Sequence, residues 1–191
     1  MRGRLRRGKS GIGTGTGEEM ELLLGLGGNL GDPPSAFRVA LSGLDREHRV
    51  VALSQLYRTE PEGPPQPRYW NMAVRLELRG PLLRLLDACQ ELERRAGRER
   101  SGEARWGPRP LDLDLLVSPE VVHRGPRLEL PHPRLHLRPF ALEPAAELAP
   151  VWVVPGLGRS LTELADEASR AGSVVERWGP LAAWGGEAPH W

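Results

Sequence analysis

Lysine is almost absent from this sequence. Of its 26 basic residues only Lys9 is a lysine, so any phosphate held by a cation here is held by planar guanidinium forks. Arginine dominance beside 23 glycines and 19 prolines follows genome composition or a hot habitat as easily as function, and it carries little functional weight alone. Cysteine occurs once, as Cys89, which excludes an internal disulfide framework and fits a reducing cytoplasm. Phenylalanine and tyrosine occur twice each, and no strand of the K/R-G-F-x-F type is present. A sheet that binds single-stranded RNA through exposed aromatics therefore stands as the weaker alternative, and no nucleic-acid partner is expected. No window of 18 apolar residues exists, and the basic N-terminus is not followed by an apolar run. Neither a membrane span nor a secretory signal is supported. The net charge of +1 leaves no overall field, so the charge that matters is local.

What is present suits one core. A chain of 191 residues with 39% apolar content builds one globular domain, expected over residues 20–191. Residues 1–19 are basic, then glycine-rich, with almost nothing to bury, and are expected to form a disordered tail that precedes Met20. Gly3, Gly8, Lys9 and Ser10 match the P-loop spacing letter for letter. That motif needs a buried strand before it and a helix after it, and this sequence supplies neither.

Regular patterning starts at Glu21. Leu22–Leu26 reads as a buried strand, a glycine-rich loop follows over 27–32, and Pro33-Pro34 opens a helix to about Arg46. A strand is expected over Val50–Tyr57, a proline-rich loop over 59–67, and a third strand over Tyr69–Leu78. Pro81 starts a second helix with Leu82, Leu85, Leu86, Cys89 and Leu92 at core spacing and Gly97 as its stop. After an arginine-rich loop, 98–109, comes a strand carrying Asp112 and Asp114. The order β-α-β-β-α-β is that of an α+β, ferredoxin-like core with an antiparallel sheet. A hairpin across Arg124-Gly125, a short helix near Phe140–Leu148 and a helix over about 160–171 are expected beyond it, and the tryptophan-bearing tail after about 172 is left unassigned.

The stretch R-W-G-P-R-P-L-D-L-D-L-L, Arg105 to Leu116, concentrates the chemistry. Side chains alternate along a strand that rises ~3.3 Å per residue, so Asp112 and Asp114 point the same way with roots about 6 to 7 Å apart. Leu111, Leu113 and Leu115 point the other way. Two like charges on a packed strand are costly unless a cation lies between them, and a hard divalent ion such as magnesium suits carboxylate oxygens. Such an ion shares its remaining positions with water and substrate phosphates, which Arg105 and Arg109 are placed to contact. His132 and His136 make a poor zinc pair, because no other ligand cluster accompanies them. No residue stands out as a general base.

Together these residues resemble one family, the 6-hydroxymethyl-7,8-dihydropterin pyrophosphokinases of folate biosynthesis. The resemblance covers roughly Glu21 to Pro155 and rests on Arg105–Asp114, with L-G-G-N-L-G at 26–31, Y-R-T-E-P at 57–61, Y-W-N at 69–71 and L-P-H-P at 130–133 in support. It implies a ferredoxin-like α+β fold and transfer of the pyrophosphoryl group of ATP to the pterin's hydroxymethyl oxygen, with release of AMP. It further implies that Asp112 and Asp114 bind two magnesium ions and that Arg98 and Arg109 neutralise the migrating phosphates. Gln90, Glu93, Arg100, Arg105, Trp106, Arg127, His132 and Arg138 match positions at the nucleotide, and Thr59, Tyr69, Asn71 and Phe140 match the pterin pocket. A cytoplasmic monomer whose partners are these two small molecules is the corresponding expectation. Gly28 stands where the family usually has serine, Glu62 where it has a small apolar residue, and Glu129 and Pro133 at positions that often differ. A folded but inactive nucleotide-binding regulator is the remaining alternative.

Overall fold

The computed structural model describes residues 20–61, 64–98, 107–170 and 175–183. The expected N-terminal tail, its P-loop-like run, Glu62, Arg100, Arg105, Trp106, Trp184 and Trp191 lie outside the described residues.

Strand β1 (Met20–Gly28) is the centre of the fold. Its leucines alternate: Leu22, Leu24 and Leu26 join one core cluster and Leu23 another, so the strand is covered on both faces. It runs two residues further than its apolar pattern, because Gly27 and Gly28 keep backbone pairing with Asn71 and Trp70, for which no side chain is needed. Helix α1 (Pro33–Glu47) follows, started by Pro33 and Pro34 and capped by Asp32, whose Oδ1 accepts the Ser35 N–H at 3.3 Å.

The single strand expected over Val50–Tyr57 is two strands, β2 (Arg49–Leu53) and β3 (Leu56–Thr59), both paired with β4 (Tyr69–Leu78). Leu53 faces Val74 and Tyr57 faces Asn71, so the chain takes one residue more between these points than its partner does. Ser54 explains the break: its hydroxyl, in place of a backbone carbonyl, accepts the Ala73 N–H at 2.9 Å. Helix α2 (Leu82–Arg95) ends before Gly97, whose φ of 91° is the left-handed stop that only glycine adopts without strain. Then comes β5 (Asp112–Val117).

A hairpin, β6 (His123–Arg124) with β7 (Glu129–Leu130), falls where Gly125 predicts it. Helix α3 (Pro139–Leu148) follows a 3-10 turn at Leu135–Leu137. A small hairpin, β8 (Val153–Val154) with β9 (Arg159–Ser160), precedes α4 (Leu161–Arg170). Strand β10 (Val175–Gly179) then returns to pair with β3. This placement answers part of the tryptophan-bearing tail: Trp178 sits edge-on to Trp70 at 5.2 Å, with Arg58 over both rings.

The main sheet has the order β10-β3-β4-β1-β5, with β2 on the same edge of β4 as β3, and its pairings are antiparallel. One face buries Leu24, Leu26, Met72, Val74, Leu113 and Leu115 against Phe37, Leu41, Leu85 and Cys89 of α1 and α2. On the other, Leu23, Leu116 and Val117 pack with α3 and α4. The molecule is thus a mixed α+β fold on an antiparallel sheet. That second face also carries the candidate site, which the first turn of α3 borders.

Candidate functional site

The floor of the site is made where side chains are missing. Gly25 and Gly27 of β1 lie opposite Asp114 and Asp112 of β5 on one side, and opposite Ala73 and Asn71 of β4 on the other. A Cβ on Gly27 would stand 3.1 Å from Asn71 Oδ1, so the strand's bare backbone at this point is what gives the amide room.

Two clefts open from this floor. The first is lined by Thr59, Glu60, Tyr69, Asn71, Phe140 and Arg134. The second lies between α2 and the β6–β7 hairpin and is lined by Gln90, Glu93, Arg98, Arg127 and His132. Arg109, Asp112, Asp114 and Arg138 line both. The residues that the resemblance assigns to a pterin thus fall in the first cleft, those described for a nucleotide fall in the second, and the aspartate pair stands at the junction. Asp112 and Asp114 share a face, as alternation requires, with Leu113 and Leu115 buried behind them.

Guanidinium groups balance the carboxylates. Arg98 pairs with Asp112, Arg109 Nη1 lies 2.9 Å from Asp112 Oδ2, and Arg138 Nη1 lies 2.6 Å from Asp114 Oδ2. Glu93, 1% exposed, accepts the Leu113 N–H at 2.8 Å and lies 2.9 Å from Arg98 Nη1, so it is anchored rather than free to move into the cleft. Burial opposes the charge on Arg109, yet Asp112 and the Tyr69 hydroxyl outweigh it, and its pKa is raised. Arg127 pairs with Asp87 at the mouth of the second cleft. His132 Nδ1 accepts the Arg134 N–H at 3.1 Å. Burial lowers its pKa against the pull of Asp114, which favours the neutral ring with its proton on Nε2.

The first cleft has aromatic walls with cations beside them. Arg109 lies 5.7 Å from the Tyr69 ring centroid and Arg138 lies 5.7 Å from that of Phe140. Asn71 Nδ2 donates to Thr59 Oγ1 at 2.9 Å, which fixes both side chains on the floor.

Asn29 was not among the residues singled out in the sequence, and it organises the entrance. Only 6% exposed, it accepts the Arg109 N–H on Oδ1 at 2.8 Å and donates from Nδ2 to Gln66 Oε1 at 3.0 Å and to the Pro67 carbonyl at 2.9 Å. Its own N–H returns a bond to the Arg109 carbonyl at 2.9 Å. The signal lay in the G-G-N-L-G run, but the tight turn there accounted for the glycines without a role for the amide between them. Gly28 also has a local reason: a Cβ would lie 2.5 Å from the Pro110 carbonyl oxygen.

The donor set at the junction fits a hard divalent cation. Asp112 and Asp114 present oxygen ligands on one face of a rigid strand, and magnesium needs only one or two carboxylates when phosphates and water complete its octahedron.

The family described as 7,8-dihydro-6-hydroxymethylpterin-pyrophosphokinase (HPPK) matches residues 23–150. A 2-amino-4-hydroxy-6-hydroxymethyldihydropteridine pyrophosphokinase of Pseudomonas aeruginosa is 44% identical over 142 residues, covering 73% of this chain and 86% of that one. One of the same name from Synechocystis sp. is 37% identical, over 76% of this chain and 74% of that one. Among solved structures, an HPPK-DHPS in complex with substrates superposes with a TM-score of 0.59 at 10% identity, which shows likeness of fold. It covers 80% of this chain, and this chain spans 44% of that one.

Proposed function

The chain belongs to the 7,8-dihydro-6-hydroxymethylpterin-pyrophosphokinase family, and from that membership we propose how its residues divide the reaction between two clefts. The enzyme transfers the pyrophosphoryl group of ATP to 6-hydroxymethyl-7,8-dihydropterin, giving the pterin diphosphate and AMP, in folate synthesis. In the proposed division the pterin lies in the first cleft, its flat ring against Tyr69 and Phe140 and its polar edge at Asn71 and Thr59. The nucleotide lies in the second, near Gln90, Glu93, Arg127, His132 and Arg138. Arg100, Arg105 and Trp106 belong with the nucleotide by resemblance, outside the described residues.

Asp112 and Asp114 would hold two magnesium ions, which when bound neutralise and orient the phosphate chain. Arg98 and Arg109 stand beside Asp112, where they would exchange carboxylate for phosphate as substrate enters. Phosphoryl transfer is mostly positioning and charge stabilisation, and removal of one such donor costs ~10² to 10³ in rate. The strand order β3-β4-β1-β5, with α1 and α2 packed on one face, supports reading the core as ferredoxin-like. A monomer is the oligomeric state in this proposal. Among the described residues no helix is long and apolar enough to cross a membrane.

The observation that carries the proposal is that Arg109, Asp112, Asp114 and Arg138 line both clefts, so two substrates lying one in each meet at the carboxylates. Incubation with ATP, magnesium and 6-hydroxymethyl-7,8-dihydropterin tests it. AMP is expected only when all three are present, and AMP formation indifferent to the pterin would defeat the reading.

A further inference from the structure

Helix α3 begins at the first cleft and ends away from it. Arg138, just before the helix, pairs with Asp114, and Phe140 and Ala141 in its first turn line the cleft. Near the other end stands Glu147, whose carboxylate lies at the negative pole of the helix dipole, an unfavourable place for an anion. Donors from the sheet offset this. The Tyr57 hydroxyl donates to Glu147 Oε2 at 2.7 Å, and the Gln55 N–H reaches both carboxylate oxygens at 3.2 Å. Arg177 of β10 lies 3.6 Å from Oε1 and also donates to Gln55 Oε1 at 2.9 Å.

Strand β3, which supplies the Tyr57 hydroxyl to Glu147, also supplies Thr59 to the cleft. Tyr57 is buried, pairs in register with Asn71 and precedes Thr59 by two residues on β3. Burial, then Glu147, pushes its hydroxyl pKa up, so it remains a donor at any working pH. Pro144 within α3 removes the N–H that would bond the Phe140 carbonyl, so the helix's own ladder is weakest at the residue that lines the cleft. The Tyr57–Glu147 bond holds α3 to the sheet outside that ladder, at the end opposite the Arg138–Asp114 pair.

We propose that the Tyr57–Glu147 pair is a positioning device for the pterin: it ties α3 to the strands carrying Thr59 and Asn71 and so sets the gap between Phe140 and that floor. The inference rests on the reading of this cleft as the pterin site. Neither residue touches substrate; both act through the placement of Phe140.

Tyr57→Phe keeps the packed ring and removes only the donated hydroxyl, and Glu147→Gln keeps the shape and removes the charge. Each is expected to raise the KM for the dihydropterin about tenfold, the effect of losing one hydrogen bond to a charged group. The KM for ATP and kcat at saturating pterin should stay within about twofold, and the double variant should do no more than either single one, since the two residues act as a unit. A folded Tyr57→Phe enzyme with the wild-type pterin KM would overturn the proposal. So would parallel rises in both substrates' constants, which mark general loosening. A wild-type protein that forms AMP without regard to pterin would instead remove the cleft assignment on which the proposal stands.

Discussion

Arg138 and Asp114, joined at 2.6 Å, both line both clefts. The pair keeps a carboxylate and a guanidinium in mutual balance, and in the proposed reading a phosphate would offer the arginine a second anion. Arg138→Ala should leave Asp114 uncompensated beside the phosphate chain. The expected result is a KM for ATP raised at least about tenfold and kcat lowered by about 10², read from initial-rate kinetics. Arg138→Lys should recover little of this, because a point charge does not reproduce a planar fork. Full recovery by lysine would show that charge alone is needed.

Asn29 holds Arg109 through its main chain and the Gln66–Pro67 segment through its amide. Asn29→Ala takes a partner from the half-buried Arg109 N–H and from the Pro67 carbonyl, a cost of about 1 kcal/mol by denaturant titration. Activity should fall further than stability, by about 10² in kcat, because Arg109 loses its fixed backbone. Wild-type kcat in a folded Asn29→Ala enzyme would argue against that placement.

Gly27 is a steric test of the floor. A methyl group there would stand 3.1 Å from Asn71 Oδ1, so the amide must give by a few tenths of an ångström against its bond to Thr59. Gly27→Ala should weaken pterin binding about tenfold, the effect of one lost polar contact, and spare ATP binding. Equal weakening of both ligands, measured by titration calorimetry, would place Gly27 outside the pterin floor.

The legible and the illegible parts of the chain divide along a physical line. Leu22, Leu24 and Leu26, and Leu113 with Leu115, show their faces by alternation, and Asp112 with Asp114 shows a common direction by the same rule. The break at Ser54 was not legible, because a serine hydroxyl that replaces a ladder carbonyl leaves the apolar pattern of Val50 and Leu56 unchanged. Strand β10 was hidden for a related reason: Val175, Glu176 and Arg177 carry no apolar alternation, and their place is set by pairing with Thr59, Arg58 and Tyr57. Asp112, Asp114 and Arg109 were nominated by the residues themselves and most other members of the clefts by resemblance, while Arg134 was not nominated. Their assembly into two clefts with a shared wall came from tertiary packing, through contacts such as Asn29 to Arg109 that span 80 positions.

His48 gives the stability a pH dependence of definite sign. Burial lowers its folded-state pKa below the ordinary 6.5, against the opposing pull of Glu47, and Nε2 has no partner among the described residues. The folded state thus binds fewer protons than the unfolded one. The stability is full above pH 6.5 and is lost as pH falls from there through the folded-state value. Denaturant titrations should show lower stability at about pH 5 than at about pH 7.5, and His48→Gln should flatten that difference while His132, shifted the same way, retains part of it. An unchanged slope in His48→Gln would assign the effect elsewhere.

The central claim is that Asp112 and Asp114 hold the metal-bound phosphate chain where the two clefts meet. Its most direct test is pterin-dependent AMP formation by Asp112→Asn/Asp114→Asn, together with Mn2+ binding in the presence of a non-hydrolysable ATP analogue, while pterin binding is followed by its fluorescence. The account predicts activity lower by more than about 10³, since the effects of two such groups compound, and loss of analogue-dependent Mn2+ binding, with pterin affinity within about threefold of wild type. Activity within tenfold of wild type, or Mn2+ binding unchanged in the folded variant, would contradict it.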